Sequence, residues 1–396
     1  MIPRKIQPIL LQRAAEYPIV TVLGPRQAGK TTLVRQTFPG ASYASLEDPE
    51  LRNWAQSDPR GFLDQHPTPA ILDEIQRVPE LLSYLQGRVD QHAGHGQYIL
   101  TGSNQPLLGQ AVSQSLAGRT SLLTLLPFSL EELGTSAPDR DLCLVKGFLP
   151  RIHHENQPWH QAYLDYLSTY VERDLRLLIQ LKDLSKFEIF LRLLAGRVGQ
   201  ILNLSALAND IGVSSTTLGH WLSVLEASFV VFRLPPYFSN LGKRLVKNPK
   251  VYFTEPGLAA ALLQIGTPQQ ASRDPLMGNL FENLVVVEIL KALLNRGQPP
   301  HLSFYRDSQG HEVDLIREVE RRPVPLEIKA SQTYAPEMSR GLDWFTKNVP
   351  GTWPGCVVYG GSEVRTAPGV QVLSFSESAR WVDEGTPGFD NDSQNK

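Results

Sequence analysis

The residues Gly24-Pro25-Arg26-Gln27-Ala28-Gly29-Lys30-Thr31 fit the pattern G-x-x-x-x-G-K-[ST], and the chemistry of that pattern is phosphate binding. Such a loop presents backbone N–H groups to an anion at the start of a helix, where the helix dipole favours negative charge. Lys30 is placed to reach the β- and γ-phosphates, the Thr31 hydroxyl to ligate magnesium, and Thr32 follows in the first helical turn. Two carboxylates, Asp73 and Glu74, end the apolar run Pro69-Ala70-Ile71-Leu72 about forty residues later. Asp73 is expected to hold magnesium through water, and Glu74 to polarise the attacking water. A polar group that touches the γ-phosphate or that water is expected after the run Gln97-Tyr98-Ile99-Leu100-Thr101. Both Ser103 and Asn104 qualify, and either could instead cap the next helix. Arginine can stabilise the charge of phosphoryl transfer in cis or from a neighbouring subunit; Arg119 and Arg151 are candidates, and Arg26 sits in the loop itself.

A second group of residues suited to phosphate chemistry lies in the C-terminal half. An apolar helix, Leu280 to Leu294, carries Glu282 near its start. Three strand-like runs follow, His301 to Arg306, His311 to Ile316 and Val324 to Lys329, separated by the turns Asp307-Ser308-Gln309-Gly310 and Arg321-Arg322-Pro323. This is the element order of a PD-(D/E)xK nuclease core. Asp314 and Glu327 on neighbouring strands could hold one or two magnesium ions, with Lys329 orienting the nucleophile and Glu282 as an outer ligand. Glu327 and Lys329 are two apart and share a strand face. Such cores also serve as binding or structural modules, so the order of elements leaves cleavage open.

These residues must be positioned by particular elements. The β-branched run Ile19-Val20-Thr21-Val22-Leu23 reads as a buried parallel strand feeding the loop, and Thr32 to Gln36 as the helix that opens after it. From Trp159 onward the pattern is helical. Leu204 to Ile211, a glycine turn, the cap Ser214, a helix from Thr216 to Glu226 and the strand Phe229 to Leu234 together read as a winged helix-turn-helix. The second helix shows Ser214, Ser215, Thr216, Thr217, His220 and Trp221 without Arg or Lys, which favours packing or oligomerisation over groove reading. Lys243, Arg244, Lys247 and Lys250 are the better candidates for DNA phosphate contacts.

At 396 residues, with 41% hydrophobic and 20% charged residues, the chain has the composition of an ordinary globular protein of two or three domains. A formal net charge of −2 gives no global attraction for nucleic acid, so DNA binding requires a local patch. Cys143 and Cys356 stand far apart, which suits a reducing compartment. No apolar leader or membrane span is expected, and the location expected is cytoplasmic.

The chain resembles the AAA-14 type P-loop ATPases that carry a C-terminal DUF4143 domain. The likeness rests on the phosphate loop, Leu46-Glu47-Asp48-Pro49, Leu72-Asp73-Glu74-Ile75-Gln76, Leu100-Thr101-Gly102-Ser103, Leu116-Ala117-Gly118-Arg119 and Pro127-Phe128-Ser129. It continues through Tyr170-Val171-Glu172-Arg173-Asp174, Lys250-Val251-Tyr252-Phe253, Gly278-Asn279-Leu280-Phe281-Glu282-Asn283, Glu312-Val313-Asp314 and Glu327-Ile328-Lys329. Two positions depart from the family pattern, Glu255 in place of Asp and Lys146 in place of the first Gly of Gly-Gly-Tyr-Pro-Arg. The resemblance implies an α/β chain: an AAA+-like parallel-sheet ATPase domain (1–157), a helical and winged-helix region (158–236) and a restriction-endonuclease-like α/β domain (237–382). A tail from 383 reads as disordered. The motifs and this architecture together lead to the expectation of ATP and magnesium as ligands, DNA as a partner, no membrane, and a homo-oligomer such as a hexamer. The activity expected is ATP hydrolysis coupled to DNA processing, with a nucleotide-state switch carrying an inactive nuclease-like module as the alternative.

Overall fold

The computed structural model describes residues 2–103, 115–169, 184–237, 248–363, 365–367 and 370–384. Five short strands form the first sheet: β1 (Ile19–Leu23), β2 (Ser42–Ser45), β3 (Ala70–Asp73), β4 (Tyr98–Gly102) and β5 (Thr120–Thr124). They lie in the order β2-β3-β4-β1-β5, and every pair is parallel. Strands β1, β3 and β4 are buried along their whole length, as their unbroken apolar runs require of a sheet covered on both faces. Alternate residues serve the two faces. Val20, Val22, Ile71 and Ile99 pack under the helices Gln7–Glu16 and Lys30–Thr37, while Ile19, Leu72 and Leu100 pack with Phe62, Leu81 and Leu85. Because the strands are parallel, the ends of β1, β3 and β4 bring their following loops to one edge.

The middle of the chain is helical. In the helix Leu204–Ile211 the Asn203 side chain caps the start and Gly212 ends it in the left-handed region, at φ 71°. Ser214 caps the next helix, Ser215–Ala227, by accepting from Thr217 N at 3.0 Å. An antiparallel ribbon of β6 (Val231–Leu234) and β7 (Lys250–Phe253) follows. The second sheet contains β8 (Leu302–Arg306), β9 (Glu312–Val319), β10 (Arg322–Lys329), β11 (Cys356–Tyr359), β12 (Arg365–Ala367) and β13 (Val370–Ser374), in the order β12-β13-β11-β10-β9-β8. Strands β8, β9 and β10 pair antiparallel, and β10, β11 and β13 parallel. No described helix is long and apolar enough to cross a membrane.

The helix Met277–Asn295 is buried on nearly all sides, which accounts for apolar residues around its whole circumference, with Asn283, Glu288 and Lys291 buried among them. One continuous core runs from Phe128 through the middle helices and this helix to Trp381 and Val382. That core also contains two charges. Lys291 Nζ donates to Glu288 Oε1 and to Phe128 O, each at 2.8 Å, and Glu288 Oε2 accepts from Leu130 N at 2.6 Å. The long helix is thereby bonded to the segment that leaves the first sheet. Asp383, assigned to the tail by composition, instead lies in the short helix Arg380–Glu384, where Arg296 holds it with bonds of 2.7 and 2.6 Å. The rest of that tail, 385–396, is outside the described residues.

Removing one partner of a buried pair leaves the other as an uncompensated charge. Lys291→Met is therefore expected to lower the free energy of unfolding by about 3–5 kcal/mol in urea titrations. A loss below about 1 kcal/mol, the range of exposed pairs, would contradict the burial of Glu288.

Candidate functional site

The phosphate loop wraps the end of β1, and its backbone requires glycine at two places. A Cβ on Gly24 would overlap the carbonyl oxygen of Leu125, and Gly29 has φ 90° at the start of the helix Lys30–Thr37. Lys30, buried beneath the loop, donates to Gly24 O at 3.0 Å and Pro25 O at 2.8 Å. Burial lowers its pKa, with Glu74 and Asp73 acting in the opposite direction.

Asp73 ends β3 beside the loop and is held from three elements. Thr31 Oγ1 lies 2.9 and 3.1 Å from its two oxygens, Tyr43 OH donates at 3.0 Å from β2, and Thr101 Oγ1 donates from β4. Burial pushes the Tyr43 hydroxyl up to about 12, and Asp73 adds to the shift, so Tyr43 is a fixed donor. Glu74 is the next residue, at φ 58° and ψ 46°, a left-handed conformation that costs a non-glycine residue roughly 1–3 kcal/mol. It is retained there by contacts: Gln76 Nε2 donates to Glu74 Oε2, Ser103 Oγ lies 3.4 Å from the same oxygen, and Thr101 Oγ1 accepts from Glu74 N at 3.3 Å. Gln76 also bridges to Ser103 Oγ at 3.0 Å, and its buried Oε1 has no protein partner. This donor set suits a hydrated magnesium ion near Thr31 and Asp73, with a water near Glu74, Gln76 and Ser103.

Thr101 and Gln76 lie within the sequence motifs but are given no role there, and Tyr43 lies in none of them. Thr101 did leave a signal, a hydroxyl ending an apolar strand that neighbours β3, since Leu72 registers with Leu100. Tyr43, on the short strand β2, left none.

Beside the loop lies a cavity of about 390 Å³, lined by Leu33, Gln36, Ile2, Phe128, Pro150 and Arg151 among others. Arg4 crosses its wall, donating to Ala28 O at 2.7 Å, Leu126 O at 2.6 Å and Glu132 Oε1 at 3.0 Å. Arg151 borders this cavity while paired with Glu155 at 3.3 Å. Arg26 points toward Glu47 at 3.8 Å. Arg119 is at the opposite edge of the sheet: its carbonyl accepts from Ile19 N, where β1 begins, and its guanidinium is held by Asp90 at 2.6 and 2.9 Å. It therefore does not reach the phosphate loop of its own chain. Asn104, Lys243, Arg244 and Lys247 lie outside the described residues.

Three domain families match the chain, and the first and last are those of the resemblance. The AAA domain family matches residues 16–134, a domain of unknown function, DUF8612, matches 138–269, and another, DUF4143, matches 277–377. An uncharacterized protein of Mycobacterium tuberculosis, Rv2008c, is 33% identical over 349 residues, covering 86% of this chain and 77% of the relative. This chain belongs to the AAA-14 ATPase family with a C-terminal DUF4143 domain. An uncharacterized Haemophilus influenzae protein is 22% identical over 69% of this chain and 74% of its own length. Among solved structures, the Walker-type ATPase PABY2304 of Pyrococcus abyssi is 15% identical, with a TM-score of 0.45 over 66% of this chain and 96% of that one.

In the DUF4143 part, Asp314, Glu327 and Lys329 do meet. Lys329 Nζ bonds Glu327 Oε2 and lies 3.4 Å from Asp314 Oδ2, which also accepts from Ile328 N at 2.8 Å. Burial and the Asp314 charge raise the pKa of Glu327; for Asp314, burial is outweighed by Lys329 and Lys250, and its pKa is lowered. Glu282 is bonded by Lys250 at 2.9 Å and by Tyr252 at 2.6 Å. This corrects the expectation for Lys250. Its side chain is 3% exposed, so it cannot contact DNA from this position. Among these acids one ammonium, Lys250, lies between Glu282 and Glu312, and another, Lys329, lies beside Asp314 and Glu327.

Thr101→Val removes the hydroxyl that joins Asp73 to the Glu74 backbone while keeping the side-chain volume. Supporting contacts of this type are worth 10–100-fold in activity, so nucleotide turnover is expected to fall about 10–100-fold with the fold intact. Unchanged turnover would show that Thr101 does not position the carboxylate.

Proposed function

We propose that this chain hydrolyses ATP with magnesium at the phosphate loop and passes its nucleotide state to the middle and DUF4143 parts. The observation that carries this reading is Glu74 held in a left-handed conformation, one residue beyond the carboxylate that Thr31 contacts. Magnesium, when bound, supplies Lewis-acid charge next to the transferring phosphate. Thr31 and Asp73 would hold it. Lys30, released from its loop carbonyls, would turn to the β- and γ-phosphates, and Glu74 would orient water with Gln76 and Ser103 as its polar neighbours. The cavity beside Pro150 and Leu33 has the size and apolar lining suited to the base.

Transmission has a supporting path in the same structure. Arg4 ties the loop at Ala28 to Glu132, which completes the cap of the short helix that begins after Ser129, and Phe128 and Leu130 on either side of Ser129 are bonded by Lys291 and Glu288. A nucleotide that displaces the loop would therefore act on the long helix Met277–Asn295. This favours a switch as the primary reading.

DNA processing is the second reading. It is supported by the helix pair and antiparallel ribbon, which the sequence reads as a winged helix, and by the basic residues Lys243, Arg244 and Lys247. An assembly of several copies, a hexamer in the simplest ring, is proposed with it, since Arg119 could act only on a neighbour's site.

Glu74→Gln tests the chemistry: ATP binding should persist while steady-state hydrolysis falls about 10²–10⁴-fold. Hydrolysis at the wild-type rate would remove Glu74 from the reaction. Linear and branched DNA added to the wild type separate the two readings. A large stimulation that salt suppresses favours DNA processing, and no response favours a switch that faces protein.

A further inference from the structure

The acidic centre of the second sheet has the residue types of a metal site but a different arrangement. The carboxylates of Glu282, Glu312, Asp314 and Glu327 meet two ammonium groups, Lys250 and Lys329. Lys329 belongs to the motif and stands two residues after Glu327 on β10. Lys250 does not; it enters from β7, in the ribbon that follows the helix pair. Its Nζ lies 2.9 Å from Glu282 Oε1 and 2.7 Å from Glu312 Oε1. The Phe304 ring closes over it, with Nζ 5.4 Å from the centroid. Tyr252, on the same face of β7, donates to the same Glu282 oxygen. Phe253 and Asn283 add two further bonds between ribbon and long helix, at 2.7 and 3.0 Å.

The centre is also covered from another direction. A Cβ on Gly341 would overlap Glu327 Oε1, so the start of the helix Arg340–Asn348 rests directly on that carboxylate. Magnesium keeps several of its waters and needs near-octahedral room around the carboxylates that hold it. Here Glu282 Oε1 and Glu312 Oε1 are instead turned toward an ammonium, and Glu312 Oε2 toward the half-exposed Arg306 guanidinium at 3.1 Å.

We propose that Lys250 is the resident cation of this centre: its ammonium takes the place of a divalent ion, closes the nuclease-like core to metal and fastens the ribbon to the second sheet. An ammonium neutralises carboxylates through its three donors, but it has no open coordination position and activates no water. The charge that a nuclease would take from solution is supplied by the chain itself. Loss of Lys250 would leave Glu282 and Glu312 facing each other without the cation between them.

The test is manganese binding, followed by electron paramagnetic resonance on the full chain without nucleotide. Asp314→Asn is expected to leave the stoichiometry of the wild type unchanged. Lys250→Ala should gain one ion per chain, and the double variant Lys250→Ala/Asp314→Asn should lose it again. A wild type that loses an ion on Asp314→Asn would overturn the proposal, because the centre would then take metal with Lys250 in place. A folded Lys250→Ala that gains none would overturn it as well. Lys250→Met retains the apolar stem should the alanine variant not fold, and the comparison of wild type with Asp314→Asn decides the matter without either.

Discussion

The whole arrangement depends on charge buried at the join between the first sheet and the rest of the chain. Lys291 and Glu288 sit inside the core and bond the backbone of Phe128 and Leu130. In a medium of low polarisability such a pair tolerates little displacement, since each charge loses its opposite charge when the other moves. Arg4 extends the chain of bonds to the phosphate loop, and Glu255 extends it the other way. Glu255 accepts from Phe148 N at 2.9 Å and from Tyr163 OH at 2.7 Å, just before the Pro150-Arg151 wall of the cavity. Burial raises the pKa of Glu255, partly offset by Lys291. The departure from Asp at this position is thus part of the same network.

The nucleotide end shows how parallel strands concentrate polar groups without burying them unpaired. Three neighbouring strands contribute Asp73, Tyr43 and Thr101, and the Tyr43 and Thr101 hydroxyls are both bonded to Asp73. The acidic centre of the second sheet uses the same kind of strand-end chemistry with a different outcome. There a lysine from another element pairs with the acids, so two constellations that look alike in sequence are built differently.

The first sheet was legible because its motifs are local: strand, glycine loop and helix are contiguous, and Asp73-Glu74 closes an apolar run. The strands around Asp314 and Glu327 were legible for the same reason, with β9 and β10 extending a few residues past the expected limits. What the sequence hid were contacts between distant elements. Lys250 lies in a run of basic residues and reads as a surface cation, yet β7 carries it into a pocket built by residues 282, 304 and 312. Arg119 follows a family motif, but strand direction places it at the far edge of the sheet. Charge and spacing along the chain carry no information about which end of a sheet a residue occupies.

The central claim is that nucleotide at the loop acts on the DUF4143 part through the buried charges. Hydrogen–deuterium exchange of Glu74→Gln, with and without magnesium-ATP, tests it most directly. The account predicts altered protection in residues 24–36 and also in residues 128–133 and 277–295. Changes confined to residues 24–36 and the edge of the first sheet would contradict it.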